Sequence, residues 1–138
     1  MSDLILRVLS DREELDKITE SIEVFAEEEE WPPELLFRIN LVIEELVLNI
    51  MEYGHDDNEH EIEISLTSAV DAVTINITDE GHAFDPVTDA PEPDTTAPIE
   101  SRSIGSLGVH LAREMMDEMA YRRENGRNFL TLTRRRTE

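Results

Sequence analysis

Two short runs decide most of what this chain can become. Ile62, Ile64 and Leu66 alternate with polar residues, Val73, Ile75 and Ile77 do the same, and only Ser68 to Asp71 separate the two runs. Alternation with a period of two puts the apolar side chains of a strand on one face, and so short a link joins antiparallel neighbours. A second pair closes the chain, where Met119 to Glu124 and Phe129 to Thr133 flank Asn125-Gly126. That dipeptide suits the left-handed backbone of a two-residue hairpin turn. The β-prone run Leu4 to Leu9 brings the strands to five.

Between the strands the apolar period lengthens. Leu15, Ile18, Ile22, Phe25 and Ala26 recur at spacings of three and four, which predicts an acidic amphipathic helix capped by Ser10 or Asp11 and reaching about Glu30. Trp31-Pro32-Pro33 breaks it, and proline suits the first turn of a second helix running to about Tyr53. Gly54 to Glu61 is a polar loop. Leu107, Leu111, Met115 and Met119 carry a third helical repeat. Pro86 to Ser103 holds four of the six prolines and, beyond Val87 and Ile99, no large aliphatic residue. It buries too little to pack, and unstructured segments of this length in a compact domain serve as lids or binding loops. The order strand, helix, helix, hairpin, long loop, helix, hairpin implies an α/β (α+β) two-layer sandwich, with a largely antiparallel sheet and three helices on one face. A chain of 138 residues supplies one such core, so a single domain over 1–138 is expected.

Charge narrows the partners. The chain has 33 acidic and 12 basic residues, a net charge of −21, which repels phosphate backbones and anionic lipids; neither nucleic acid nor a membrane surface is expected as a partner. Arg122, Arg123, Arg127, Arg134, Arg135 and Arg136 gather near the end, a basic edge that reads first as a solvated strand. Without cysteine there is no disulfide or thiolate metal site. No apolar run approaches the roughly 20 residues of a membrane span and the first residues lack a secretory pattern, so a cytoplasmic protein is expected.

The second helix is the most apolar part of this acidic chain, yet it carries a polar pair. At about 100° per residue, Ile39, Val42, Ile43, Leu46, Val47 and Ile50 fall within roughly 140°, and Glu45 and Asn49 stack just outside that arc. Taken alone, these are boundary residues with solvated tips. Leu41 and Leu48 lie on the far side, leaving room for a second subunit and hence a homodimer. Two further stretches change the balance. Thr78-Asp79-Glu80-Gly81 ends a strand in Asp-x-Gly, where a carboxylate can accept from an exocyclic amine while glycine admits a flat ring. Ile104-Gly105-Ser106-Leu107-Gly108-Val109 opens the third helix, where free amides and the helix dipole favour phosphate. Together they supply what nucleotide binding needs, and an acidic protein binding a polyanion also needs Mg²⁺, to which Asn49 can give one neutral oxygen.

In these motifs the chain resembles the serine-kinase and anti-sigma-factor branch of the superfamily of gyrase-type and histidine-kinase-type ATPases, which share the Bergerat nucleotide fold. Glu45-x-x-x-Asn49 is similar to that family's N box, Asp79-x-Gly81-x-x-Phe84-Asp85-Pro86 to its first glycine box, and Gly105-Ser106-Leu107-Gly108 with Met116-Asp117-Glu118 to its second glycine box and following helix. The resemblance implies that Asn49 chelates Mg²⁺, that Glu45 is the general base, that Asp79 binds the adenine amino group, and that 86–103 is the ATP lid. Ser106 replaces a second glycine, Tyr53 stands where histidine is common, and Asn128 falls near a threonine that supports the adenine site. Arg102 is the one basic residue of the lid.

The implied function is an ATP- and Mg²⁺-dependent serine/threonine protein kinase acting on a small anti-anti-sigma-like partner, with a sigma factor as a second partner in an anti-sigma switch. The alternative is a catalytically silent, nucleotide-gated binding module. A third reading, a metal site at His55, Asp56, Asp57, His60 and Glu61, lacks the glycine of a calcium loop.

Overall fold

In the computed structural model residues 2–51, 61–80 and 104–136 are described, with 104–109 as backbone only. The strands are β1 (Ser2–Leu9), β2 (Glu61–Ser68), β3 (Ala72–Asp79), β4 (Glu118–Glu124) and β5 (Arg127–Arg135). They form one sheet of order β1-β2-β3-β5-β4 in which each neighbouring pair is antiparallel. The helices are α1 (Leu15–Glu28), α2 (Pro33–Asn49) and α3 (Ile104–Met115). Both hairpins read from the sequence are present, and Asn125 (φ 53°) and Gly126 (φ 76°) make the β4–β5 turn with the left-handed backbone that a two-residue link demands.

The alternation does its expected work. Ile62, Ile64, Leu66, Val73, Ile75, Ile77, Leu130 and Leu132 are all buried beneath the helices, while the intervening Ser65, Thr67, Thr74, Asn76, Thr78 and Thr131 line the other face. Each buried aliphatic side chain of this size contributes about 1.5–3 kcal/mol relative to an exposed one. The register aligns Val8, Ile62, Asp79, Asn128 and Arg123 in one row across the sheet. Since Asp79 follows Ile77 by two residues and Asn128 precedes Leu130 by two, both polar residues project from the helix-covered face at one end of the apolar columns. That parity is why two polar side chains are buried there, at 5% and 6% exposure.

The other end of the sheet anchors the helices. Helix α1 stops in a left-handed turn: Glu30 adopts φ 57°, Glu30 N–H donates to Glu27 O at 3.2 Å, and Trp31 N–H donates to Ala26 O at 3.0 Å. This is a Schellman termination with a glutamate in place of the usual glycine. Trp31 holds it, packing edge-on to Phe25 with ring centroids 5.8 Å apart and donating from Nε1 to the buried Ser68 Oγ at 3.0 Å. Pro33 then opens α2 at the Ser68 end. Seventeen residues at 1.5 Å make α2 about 25 Å long, close to the length of an eight-residue strand, so α2 carries the chain from the Ser68 end to the Asp79 end.

Three boundaries differ from the sequence reading. Asp11 does cap, accepting from Glu13 N–H at 3.0 Å, but it caps a 3₁₀ turn over Arg12–Glu14, and α1 starts only at Leu15 and ends at Glu28. Helix α3 begins at Ile104 and stops at Met115, so Met119 is not helical. Its apolar side chain instead occupies a helix-facing position of β4, where a period of two and a period of four coincide over one step. The stretch Met116-Asp117-Glu118 likewise crosses from α3 into β4 instead of continuing a helix, drawn over by Asp117 N–H donating to Thr133 O at 2.9 Å.

Candidate functional site

One hydrogen bond orients the two helices that matter most. Arg38 Nη1 donates to Met115 O at 3.2 Å, tying the first turns of α2 to the last turn of α3, and α2 and α3 are the most extensively packed pair of helices. Helices that meet this way and stay in contact run antiparallel. Eleven residues on from Arg38 is Asn49, and eleven residues back from Met115 is Ile104, each about 16 Å along its axis. The start of α3 therefore lies level with Asn49. The angular position agrees, because Glu45 and Asn49 follow Arg38 by seven and eleven residues and share its side of α2.

The same stripe explains the chemistry of Glu45. It is half-buried between the core arc and α3, and burial, followed by the adjacent charge of Glu44, pushes its carboxyl pKa up. Neither Glu45 nor Asn49 hydrogen-bonds through its side chain to another described residue. After Asn49 the backbone continues through Ile50 and Met51 as a wider, π-type turn, a form that often marks functional sites. Helix α3 presents the second element. Its first four residues, Ile104, Gly105, Ser106 and Leu107, leave amides with no partner within the helix. The glycine-containing motif through Gly108 and Val109 thus forms the first turn of α3 and does not precede it as a separate loop.

The third element is a polar cluster at the end of β3. Asn128 Nδ2 donates to Asp79 Oδ1 at 3.2 Å, while Tyr121 OH and Arg123 Nη1 both donate to Asn128 Oδ1, at 2.5 and 2.9 Å. A guanidinium has only donors, so Arg123 fixes which way the Asn128 amide faces and aims its NH₂ at the carboxylate. Asp79 is held as an acceptor at the end of the sheet that α2 approaches with Asn49. The sequence reading passed over Tyr121 and took Arg123 only as part of a solvated basic edge. A signal was present: a two-residue Asn125-Gly126 turn sets Glu124 opposite Arg127 and hence Arg123 opposite Asn128, as found.

Glu45, Asn49, the start of α3, Asp79 and Asn128 thus gather at one end of the two layers. Tyr53, Gly81, Phe84, Arg102 and the segment expected to be the lid lie outside the described residues, as do His55, Asp56, Asp57 and His60. Glu61 opens β2 and is exposed. Among the described residues no group of three or more His, Cys, Asp or Glu side chains is placed to hold a metal, and no helix is long and apolar enough to cross a membrane.

Residues 8–134 match the family model of the histidine kinase-like ATPase domain, and the chain belongs to that family. It is 31% identical over 116 residues to the serine/threonine-protein kinase BtrW of Bordetella bronchiseptica, covering 81% of this chain and 79% of that protein. Among solved structures it resembles the RsbU and RsbW domains of Rv1364c from Mycobacterium tuberculosis, with a TM-score of 0.70 and 16% identity over 98% of this chain. This chain spans about a third (32%) of that longer one. The SiaB–SiaC complex of Pseudomonas aeruginosa has a TM-score of 0.57 and 15% identity, covering 96% of this chain and 89% of that one. At these identities the two structures establish the shared fold, an antiparallel sheet with its helices on one face.

Proposed function

We propose that this protein is an ATP- and Mg²⁺-dependent serine/threonine protein kinase that phosphorylates a small anti-anti-sigma-like partner in the cytoplasm and acts as an anti-sigma switch. The observation that carries the reading is the side of α2 on which Glu45 and Asn49 sit, level with the first turn of α3. There a nucleotide held at Asp79 by its adenine would extend its phosphates toward the free amides of Ile104 to Leu107. The fold and the BtrW relative support kinase-type chemistry; the RsbW domain and the SiaB–SiaC complex support a protein partner.

Each residue has a task that its surroundings favour. Asp79, aimed by Asn128, accepts from the adenine amino group; the family resemblance assigns Gly81, Phe84 and Tyr53 to nucleotide binding as well. The α3 amides and dipole bind phosphate oxygens. Asn49 fits a magnesium ligand, being a half-buried neutral oxygen not engaged by other described side chains; magnesium there would neutralise phosphate charge. Glu45 takes the proton of the attacking hydroxyl. The partner's hydroxyl oxygen forms a bond to the γ-phosphorus, the bond from that phosphorus to the β-phosphate oxygen breaks, ADP leaves, and the proton ends on the Glu45 carboxylate. A carboxylate whose pKa is raised by burial is a stronger base for that step than a solvated one.

Protein recovered from the native host by this chain with and without ATP, followed by a phosphosite search, tests the reading. A phosphoserine or phosphothreonine on a small recovered partner, appearing only with ATP, is the expected result. A partner whose recovery depends on ATP but which never gains phosphate would replace the kinase with a nucleotide-gated binding module.

A further inference from the structure

The basic residues gathered near the end of the chain divide between the two ends of the sheet. Arg123 stands beside Asn128, and Arg127 lies 3.3 Å from Glu80, both at the Asp79 end. Arg134, Arg135 and Arg136 lie at the other end. Arg134 shares a row with the buried Ser68 and Val73, and so follows Leu130 and Leu132 on the helix-covered face. There, with Arg135, Arg136 and Arg38 of α2, it lines a cavity of about 320 Å³ beside the first turn of α2 and the β2–β3 turn. Four guanidinium groups share this lining with two carboxylates, Glu30 and Glu34, a surplus of two positive charges in a chain whose net charge is −21.

With 33 acidic residues in the chain, each arginine could be matched by a carboxylate of its own. Arg38 is matched, 3.2 Å from Glu34, but Arg134 comes only to 3.7 Å from Asp117. Arg136 pairs with no described carboxylate: its Nη1 donates to the neutral Ala69 O at 3.0 Å. A guanidinium carries five donors and no acceptor, so Arg136 brings an unmatched charge and most of its donors to the cavity. The rest of the lining is apolar, from Pro32, Leu35 and Val70, and Val70 stands 89% exposed in the β2–β3 turn.

From this we propose that the cavity docks an acidic segment of a partner protein. An aspartate or glutamate carboxylate of that segment is held by Arg134 and Arg136, and a neighbouring aliphatic side chain packs on Pro32 and Val70. Guanidinium and carboxylate match in shape as well as charge, and their hydrogen bonds are among the stronger ones. A carboxylate suits the lining better than a phosphate, because Glu30 and Glu34 stand in the same cavity and oppose a dianion. The net charge of the protein repels an acidic partner at long range, so this cavity also decides where such a segment can land. It lies at the start of α2, about 25 Å along the helix from Asn49, so the segment and a nucleotide do not compete for space. The proposal is independent of whether the protein is a kinase.

Fluorescence anisotropy of the full chain with a labelled peptide of alternating glutamate and leucine tests it, against the same peptide with glutamine in place of glutamate. The acidic peptide is expected to bind, less tightly as salt rises, and the glutamine peptide at least about tenfold more weakly. Arg136→Gln should weaken binding of the acidic peptide by a similar factor. Val70→Asp, a change at an exposed turn that should leave the circular dichroism as it is, adds a negative charge beside the cavity and should weaken binding too. Arg122→Gln alters the net charge equally but on β4 outside the cavity, and should bind as the parent does. No binding by the parent, equal binding of the two peptides, parental binding by Arg136→Gln or by Val70→Asp, or an equal loss in Arg122→Gln overturns the proposal. Displacement of the peptide by inorganic phosphate, at an ionic strength at which acetate does not displace it, assigns the cavity to a phosphorylated ligand and overturns it as well.

Discussion

Replacing Asn128 by alanine removes the centre of the polar cluster at the end of β3, and its cost follows from the geometry. Among the described residues the amide donates to the Asp79 carboxylate at 3.2 Å and accepts from Tyr121 at 2.5 Å and Arg123 at 2.9 Å. A hydrogen bond to a charged group is worth about 1.5–3 kcal/mol, and Asp79 is 5% exposed, so water replaces the lost donor poorly. Arg123 is at the surface and Tyr121 half-buried, so their donors regain water and add little. The expected loss is about 2 kcal/mol, which lowers the midpoint of thermal unfolding by roughly 6–8 °C in a domain of this size. Urea unfolding followed by circular dichroism should show the midpoint falling at constant slope. Tyr121→Phe leaves Arg123 to orient the amide, so its loss should be about 1 kcal/mol or less. ATP affinity separates the two variants further: Asn128→Ala releases Asp79, the proposed acceptor for adenine, and should bind ATP at least about tenfold more weakly, while Tyr121→Phe changes affinity little. If Asn128→Ala is as stable as the parent and binds ATP as well, the cluster neither supports the fold nor orients Asp79, and this reasoning is wrong.

Further expectations concern the other elements. Because burial raises the Glu45 pKa in the folded state, its ionised form opposes folding. The penalty is present above the folded pKa and is relieved as pH falls through that value, so Glu45→Gln should be more stable than the parent at neutral pH, with the gain shrinking in acid. Phosphoryl transfer by the parent should decline over that same window, since the base must be ionised. Glu30→Gly relieves a left-handed glutamate and should raise stability by about 0.5–1 kcal/mol in thermal unfolding; no gain would mean that the Trp31 anchor leaves no strain there. Asn49→Ala should abolish the Mg²⁺-dependent part of ATP binding measured by calorimetry, and retained Mg²⁺ dependence would remove Asn49 from the site.

The sheet was legible because strand alternation and turn chemistry are local. The Ile62 and Val73 runs and Asn125-Gly126 gave four of the five strands and their pairing direction. The polar pair on α2 was legible as a departure from its apolar arc. The partner packed against that side was not, since it rests on a contact between Arg38 and Met115, 77 residues apart. Trp31-Pro32-Pro33 announced a break but not its form: a glutamate in left-handed conformation runs against propensity and holds only because Trp31 reaches Ser68 on the sheet. The roles of Tyr121 and Arg123 escaped notice for the opposite reason. An arginine-bearing strand near the end of an acidic chain reads as solvated, and only the register shows that Arg123 stands beside Asn128.

Glu45 lies at the centre of the functional account, and its loss tests that account most directly. With the partner recovered from the host, transfer of labelled γ-phosphate should be lost in Glu45→Ala while calorimetry finds ATP affinity within a few-fold of the parent's. Transfer at the parental rate by Glu45→Ala would contradict the assignment of the base and, with it, the proposed mechanism.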